Sequence, residues 1–168
     1  LTEIICISAS GKARAAKETV ARILRAELEK VDDKRVLITR FADPLKLICR
    51  NWFDWNGRMD DAGRSLLRYI GTDVVRSLRP DFWVDFTLNL LSMLGDEFDY
   101  VIIPDCRYPN EFDMERYGFQ PRHLHIECNL APGKTSSYPA PEFVIANSES
   151  PEQLRRAVVD VAHRLIFG

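Results

Sequence analysis

Apolar positions along the chain fall into two patterns. Some are short and nearly continuous: Ile4, Ile5, Cys6 and Ile7 stand together, as do Val36, Leu37 and Ile38, and later Tyr100, Val101, Ile102 and Ile103. Continuous runs of this length suit strands covered on both faces, the condition of a parallel sheet. They predict strands over 3–8, 36–39, 100–104 and 123–128, with a short fifth over 143–146. Other positions recur with helical spacing. Val20, Ile23, Leu24 and Leu28 predict a helix over 17–30. Asp43 as cap and Pro44 at the first position open a second helix that would bury Leu45, Ile48, Cys49 and Trp52. After the Asn56-Gly57 break, Leu67, Ile70 and Val74 predict one helix over 61–78, in which Gly71 costs roughly 1 kcal/mol relative to Ala. Pro80-Asp81 opens another through Leu88 and Leu91. Residues 110–117 predict a short helix stopped by Gly118. Ser150 and Pro151 open the last, with Leu154, Val158, Val161 and Leu165 on its apolar face. The stretch 129–141 holds three prolines and a Gly-Lys-Thr-Ser-Ser run, so it predicts a loop. Strands alternating with helices give an α/β fold: a five-stranded parallel sheet with helices on both faces, in three layers.

Composition narrows this picture. The 168 residues suffice for one domain, 1–168, and are too few for two ordinary ones. Hydrophobic residues make up 46% and charged residues 29%, the usual globular balance. A formal charge of -2 argues against a general nucleic-acid binder, which is normally basic. Cys6, Cys49, Cys106 and Cys128 show no CxxC spacing, which argues against zinc and for buried reduced thiols. Leu1-Thr2-Glu3 lacks the basic start of a secretory leader, and no apolar run is long enough to span a bilayer. The expectation is a cytoplasmic protein with no membrane partner. His123 and His125 alternate on one strand face and are read as surface polarity.

The most informative segment lies between the first strand and the first helix: Gly11-Lys12-Ala13-Arg14-Ala15-Ala16-Lys17-Glu18-Thr19. A glycine-led loop opening a helix presents backbone N–H groups to an anion, and the helix dipole favours negative charge there. Lys17 would reach the β- and γ-phosphates, and Thr19 offers a hydroxyl one turn on. Two positions depart from GxxxxGK[ST]. Ala16 replaces the second glycine, and Glu18 stands where Ser or Thr usually meets magnesium. If position 16 required a left-handed backbone, Ala would cost roughly 1–2 kcal/mol there.

Further segments follow in order: Phe41-Ala42-Asp43-Pro44-Leu45-Lys46; Gly63-Arg64-Ser65-Leu66-Leu67-Arg68-Tyr69-Ile70-Gly71-Thr72; Arg76 with Pro80-Asp81-Phe82-Trp83-Val84; and Asp105-Cys106-Arg107-Tyr108-Pro109-Asn110-Glu111. In this order, from Ile4 to about Glu111, the chain resembles the deoxynucleoside monophosphate kinases of bacteriophages and bacteria. That family often reads GKxxxGKDT in the loop, so an acidic residue at 18 fits its type. The resemblance implies a P-loop kinase fold, with a nucleotide-binding helical region at about 43–94 and a lid-like loop at about 129–141. It implies ATP and Mg2+ as cofactors and small-molecule nucleotides as substrates, and leaves a homodimer open. Gly11, Lys12, Arg14, Ala16, Lys17, Glu18 and Thr19 would serve ATP. Lys46, Arg68, Arg76 and Trp83 would form the monophosphate pocket. Asp105 would orient magnesium or its waters, Arg107 would contact phosphate, and Glu111 would bond a base or a neighbouring arginine. Lys17, Asp105 and Arg107 are thus the expected catalytic set.

These residue types suit phosphoryl transfer, which needs positioning and charge neutralisation more than covalent catalysis. Arginine binds phosphate through a planar fork and stays charged. Some of the same residues have plainer readings. Arg64 and Arg68 share a face that solvent alone would explain, Trp83 would serve equally in a core, and Asp43 and Asp81 would serve as caps. Lys134 is the only cation in 129–141, and Arg122 precedes the fourth strand. With Ala16, this opens two alternatives to a kinase: a nucleotide-binding protein without turnover, and a partner-binding domain on the same fold.

Overall fold

The computed structural model describes residues 2–10, 16–31, 33–128, 139–147 and 150–168. Five strands form one all-parallel sheet: β1 (Glu3–Ala9), β2 (Val36–Ile38), β3 (Tyr100–Ile103), β4 (Pro121–Cys128) and β5 (Phe143–Asn147). Their order is β2-β3-β1-β4-β5, with β1 at the centre. The helices are α1 (Lys17–Leu28), α2 (Asp43–Trp52), α3 (Asp61–Arg68), α4 (Phe82–Leu94) and α5 (Pro151–Phe167).

The chain forms two compact units. The first, Leu1–Thr39 with Leu94–Gly168, holds the sheet, α1 and α5. Its core lies on one sheet face, where Ile5, Ile7, Ile102, Leu124, Ile126 and Ile145 meet Val20, Leu24 and Leu28 of α1 and Val158 and Leu165 of α5. Each such side chain, fully withdrawn from water, stabilises the fold by about 1.5–3 kcal/mol. The alternate residues Ile4, Cys6, Ser8, Val101 and Ile103 are buried as well. Both faces are therefore dry, which is why these strands read as unbroken apolar runs. Beyond β3 the chain makes two 3-10 turns, Pro109–Phe112 and Glu115–Tyr117, in place of the single short helix expected. Gly118 ends the second with φ 77°, a conformation glycine adopts without cost.

At the amino edge of the sheet Arg122 ties three strands. Its guanidinium donates to both Glu142 oxygens and to Glu3, and it stacks 5.3 Å from the Phe143 ring centre. It lies within β4 rather than before it.

The second unit, Arg40–Met93, contains α2, α3 and most of α4. Ala42 rather than Asp43 occupies the N-cap of α2; Asp43 turns back, and its Oδ2 accepts the Arg40 N–H at 3.0 Å. Of the four α2 positions expected inside, Cys49 is buried and Trp52 is 70% exposed. The helix expected over 61–78 is not uniform. α3 is followed by a π-helical stretch, Tyr69–Arg76. Two local contacts fall on that stretch. The Trp83 indole N–H donates to the Gly71 carbonyl at 3.0 Å. Gly71 also packs against Leu45, whose Cδ2 would stand 2.4 Å from a Cβ added there. Gly71 therefore permits close approach, which a penalty for helix propensity does not capture.

Candidate active site at the carboxyl edge of the sheet

In a parallel sheet every strand ends at the same edge, and ligands bind beyond those ends where the connections diverge to opposite sides. That point falls between β1 and β3, since the chain leaves β1 for β2 on one side and leaves β3 for β4 on the other. Ser10 carries the ladder one step past β1, donating its N–H to the Ile126 carbonyl at 3.1 Å. Gly11, Lys12 and Arg14 follow, outside the described residues.

The chain is described again at Ala16, the N-cap of α1, with φ -80° and ψ -17°. This is ordinary right-handed backbone, so Ala16 carries none of the strain a left-handed site would impose. Lys17 is the first residue of α1 and is only 6% exposed, an unusual place for a lysine. Glu18 is exposed and Thr19 is half-buried. A buried ammonium in the first turn of a helix is chemically suited to meeting an anion.

Next to β1, β3 ends at Ile103, which pairs with Cys6. Pro104 and Asp105 extend it past the edge, and Asp105 is half-buried. The following turn is held from within. Glu111 is 2% exposed, and its Oε2 accepts the backbone N–H groups of Arg107, at 2.5 Å, and Tyr108, at 3.0 Å. That carboxylate orders the loop carrying Asp105 and Arg107, a use the expected contact with a base or arginine did not include. The Arg107 side chain is exposed. Cys106 donates its S–H to the Ile103 carbonyl at 3.4 Å, and burial pushes its thiol well above the usual range, so it remains protonated.

The histidines are not surface groups. His123 and His125 are both buried and both bond Ser8 Oγ, through His123 Nε2 at 2.6 Å and His125 Nδ1 at 2.7 Å. Burial lowers His123 from 6.5 to about 4 and lowers His125 as well, which keeps both neutral at pH 7. Their partner stands 115 and 117 positions away in sequence, so strand alternation alone could not identify it. The signal that could have found them is Ser8, a hydroxyl inside the apolar run of the central strand.

In the second unit, Lys46 lies on α2 and is half-buried. Arg68 ends α3 and is exposed; Arg76 ends the π-helical stretch and is half-buried. Trp83 is 3% exposed, with its N–H on Gly71 and its ring 4.8 Å from Phe82 in an edge-on contact. An indole so enclosed shapes its surroundings and has no open face for a base. Arg64 is exposed beside Asp61, at 3.7 Å. Of the lid-like stretch, 129–138 lies outside the described residues. Among the described residues no cluster of three or more His, Cys, Asp and Glu could hold a metal unaided, and no helix is long and apolar enough to cross a membrane.

No protein-family model matches the chain, and no curated protein matches it by sequence. Among solved structures it is similar to the hexameric APS kinase from Thiobacillus denitrificans, with a TM-score of 0.51 and 17% identity. The match covers 98% of this chain and 29% of that one, so the chain spans less than a third of that neighbour's length. The likeness bears on architecture alone: a five-stranded parallel sheet in an α/β fold.

Proposed function

We propose that the chain is an ATP-dependent phosphotransferase whose acceptor is a nucleoside monophosphate, with a deoxynucleotide as the first candidate. The observation that supports this most is Lys17, buried at the start of α1 where the glycine-led segment leaves the central strand. In this reading residues 11–19, with Gly11, Lys12, Arg14, Lys17 and Thr19, hold the ATP phosphates. Lys46, Arg68 and Arg76 hold the acceptor monophosphate, and Arg107 neutralises charge on the transferring group. Trp83 and Glu111 act indirectly, through the Gly71 carbonyl and the 107–108 backbone. No general base is required, because the acceptor is already a phosphate oxygen.

Magnesium fits Asp105. A hard carboxylate beyond a strand end, with no cluster of three or more His, Cys, Asp and Glu among the described residues, matches the way this ion is held by one or two carboxylates and substrate phosphates. When bound, it would supply charge neutralisation on the phosphates.

The helical stretch 43–94 and the lid-like stretch 129–141 are proposed as the acceptor region and the lid. Lys134, the single cation of 129–141, favours a second reading, a nucleotide binder without turnover. ADP release measured with ATP and each of the four deoxynucleoside monophosphates decides between them, with APS added to the panel after the neighbour's name. Turnover with one acceptor supports the kinase. A melting temperature raised by ATP without turnover on any acceptor supports the binder. An unchanged melting temperature with every ligand rejects both.

A further inference from the structure

We propose that Ser8, His123 and His125 form a positioning cluster that fixes the carboxyl end of β1 against the backbone entering β5. Its catalytic consequence rests on the phosphotransferase reading; the cluster itself rests on geometry. Ser8 is wholly buried in the central strand, in register with His125, while Cys6 is in register with His123. His123 reaches outward as well: its Nδ1 bonds the Pro139 carbonyl at 3.0 Å. Its backbone carbonyl accepts the Glu142 N–H at 2.9 Å, so one residue holds both ends of the 139–142 approach to β5. The Phe112 ring, 4.5 Å from the His123 ring, closes the apolar side. Two residues beyond Ser8, the Ser10 N–H makes the last described bond of this ladder before residues 11–15.

With both rings neutral, the bonds joining His125, Ser8, His123 and Pro139 admit one proton order. A carbonyl only accepts, so His123 carries its proton on Nδ1, toward Pro139. Its neutral ring then accepts at Nε2, and the single Ser8 proton must point there. Ser8 Oγ has only lone pairs left for His125, whose Nδ1 must therefore carry a proton. The chain runs His125 to Ser8 to His123 to Pro139, with every bond in one direction. Apolar filling would need only a valine at position 8. A directed chain instead sets the relative position of β1, β4 and the β5 approach, because each buried polar group is costly to leave unmatched.

Long-range 1H–15N correlation at pH 7 tests the proton order. Both rings are expected neutral and protonated at Nδ1; an Nε2–H tautomer at His123, a His125 without its Nδ1 proton, or a cationic ring overturns the proposal. Amide exchange tests the positioning. In Ser8→Ala the Ser10 and Glu142 amides should exchange at least about 10-fold faster, with Val158 and Val161 unchanged, and Ser8→Thr should restore the wild-type rates. Equal rates in Ser8→Ala and wild type overturn it. In the ADP-release assay Ser8→Ala should raise KM for ATP by about 10-fold and leave the acceptor KM within about 2-fold. A wild type inactive on every acceptor refutes the phosphotransferase reading alone, and the two spectroscopic results still decide the cluster.

Discussion

Lys17 and Glu111 illustrate two ways a charged side chain comes to be buried. Lys17 opens α1 and is buried; in the proposed reading it holds the ATP phosphates, so Lys17→Ala should lower kcat/KM by at least about 100-fold while the melting temperature moves by only a few degrees. Loss of the folded state in that variant would mark Lys17 as structural. Glu111 is already satisfied by two backbone N–H groups. Glu111→Ala leaves them unmatched and should cost about 2 kcal/mol of stability in urea denaturation, with activity falling as the Asp105–Arg107 turn loosens. The difference in what the sequence disclosed has a physical basis. The segment around Lys17 stands out in the sequence because its glycine, its lysine and the helix start are contiguous. The 105–111 segment stands out too, but the bonds of Glu111 to the Arg107 and Tyr108 N–H groups do not follow from sequence. His123 and His125 were misjudged outright, because the hydroxyl that binds them lies across the sheet.

The elements repeat that lesson. β1 and β3 were legible because burial on both faces makes most of their residues apolar, and α5 because a single apolar face carries its packing. The π-helical stretch was not, since Leu67, Ile70 and Val74 satisfy a 3.6-residue stripe whatever the backbone does between them. Within that stretch the Gly71 carbonyl accepts a bond from Trp83, twelve residues on. Trp83→Phe keeps the ring and removes the donor, and should destabilise the protein by about 1 kcal/mol in urea denaturation. The start of α3 is set more firmly. Asp60 caps Gly63 N–H at 2.8 Å, the Trp55 indole bonds the Arg58 carbonyl at 3.0 Å, and a Cβ on Gly63 would lie 2.1 Å from that carbonyl oxygen. Because backbone cannot swing aside as a side-chain end can, Gly63→Ala should cost about 2–3 kcal/mol by thermal or chemical denaturation.

For the whole molecule, protonation sets a lower pH limit on stability. His123 titrates at about 4 in the fold and near 6.5 when unfolded, so between these values the unfolded chain binds more protons. Stability should be full above about 6.5 and fall by ~3 kcal/mol as pH drops to 4. His125 shifts in the same direction and adds to the loss. Glu142, held below its usual value by Arg122, and Asp99, held down by the Arg35 N–H, act in the acid range. Their contributions are present above the ordinary carboxylate pKa and are lost as pH falls through the lowered values. Denaturation midpoints between pH 7 and 4 check the histidine share, and His123→Phe should flatten the upper part of that slope. At this scale the order β2-β3-β1-β4-β5 puts β1 at the centre, and the proposed function depends on Lys17 at the start of the helix that follows it. The most direct measurement is transfer of label from γ-33P-ATP to a panel of nucleoside monophosphates, resolved by chromatography, with wild type and Lys17→Ala side by side. The account predicts a labelled nucleoside diphosphate from wild type and almost none from the variant; equal label in both, or no labelled diphosphate from wild type with any acceptor, would contradict it.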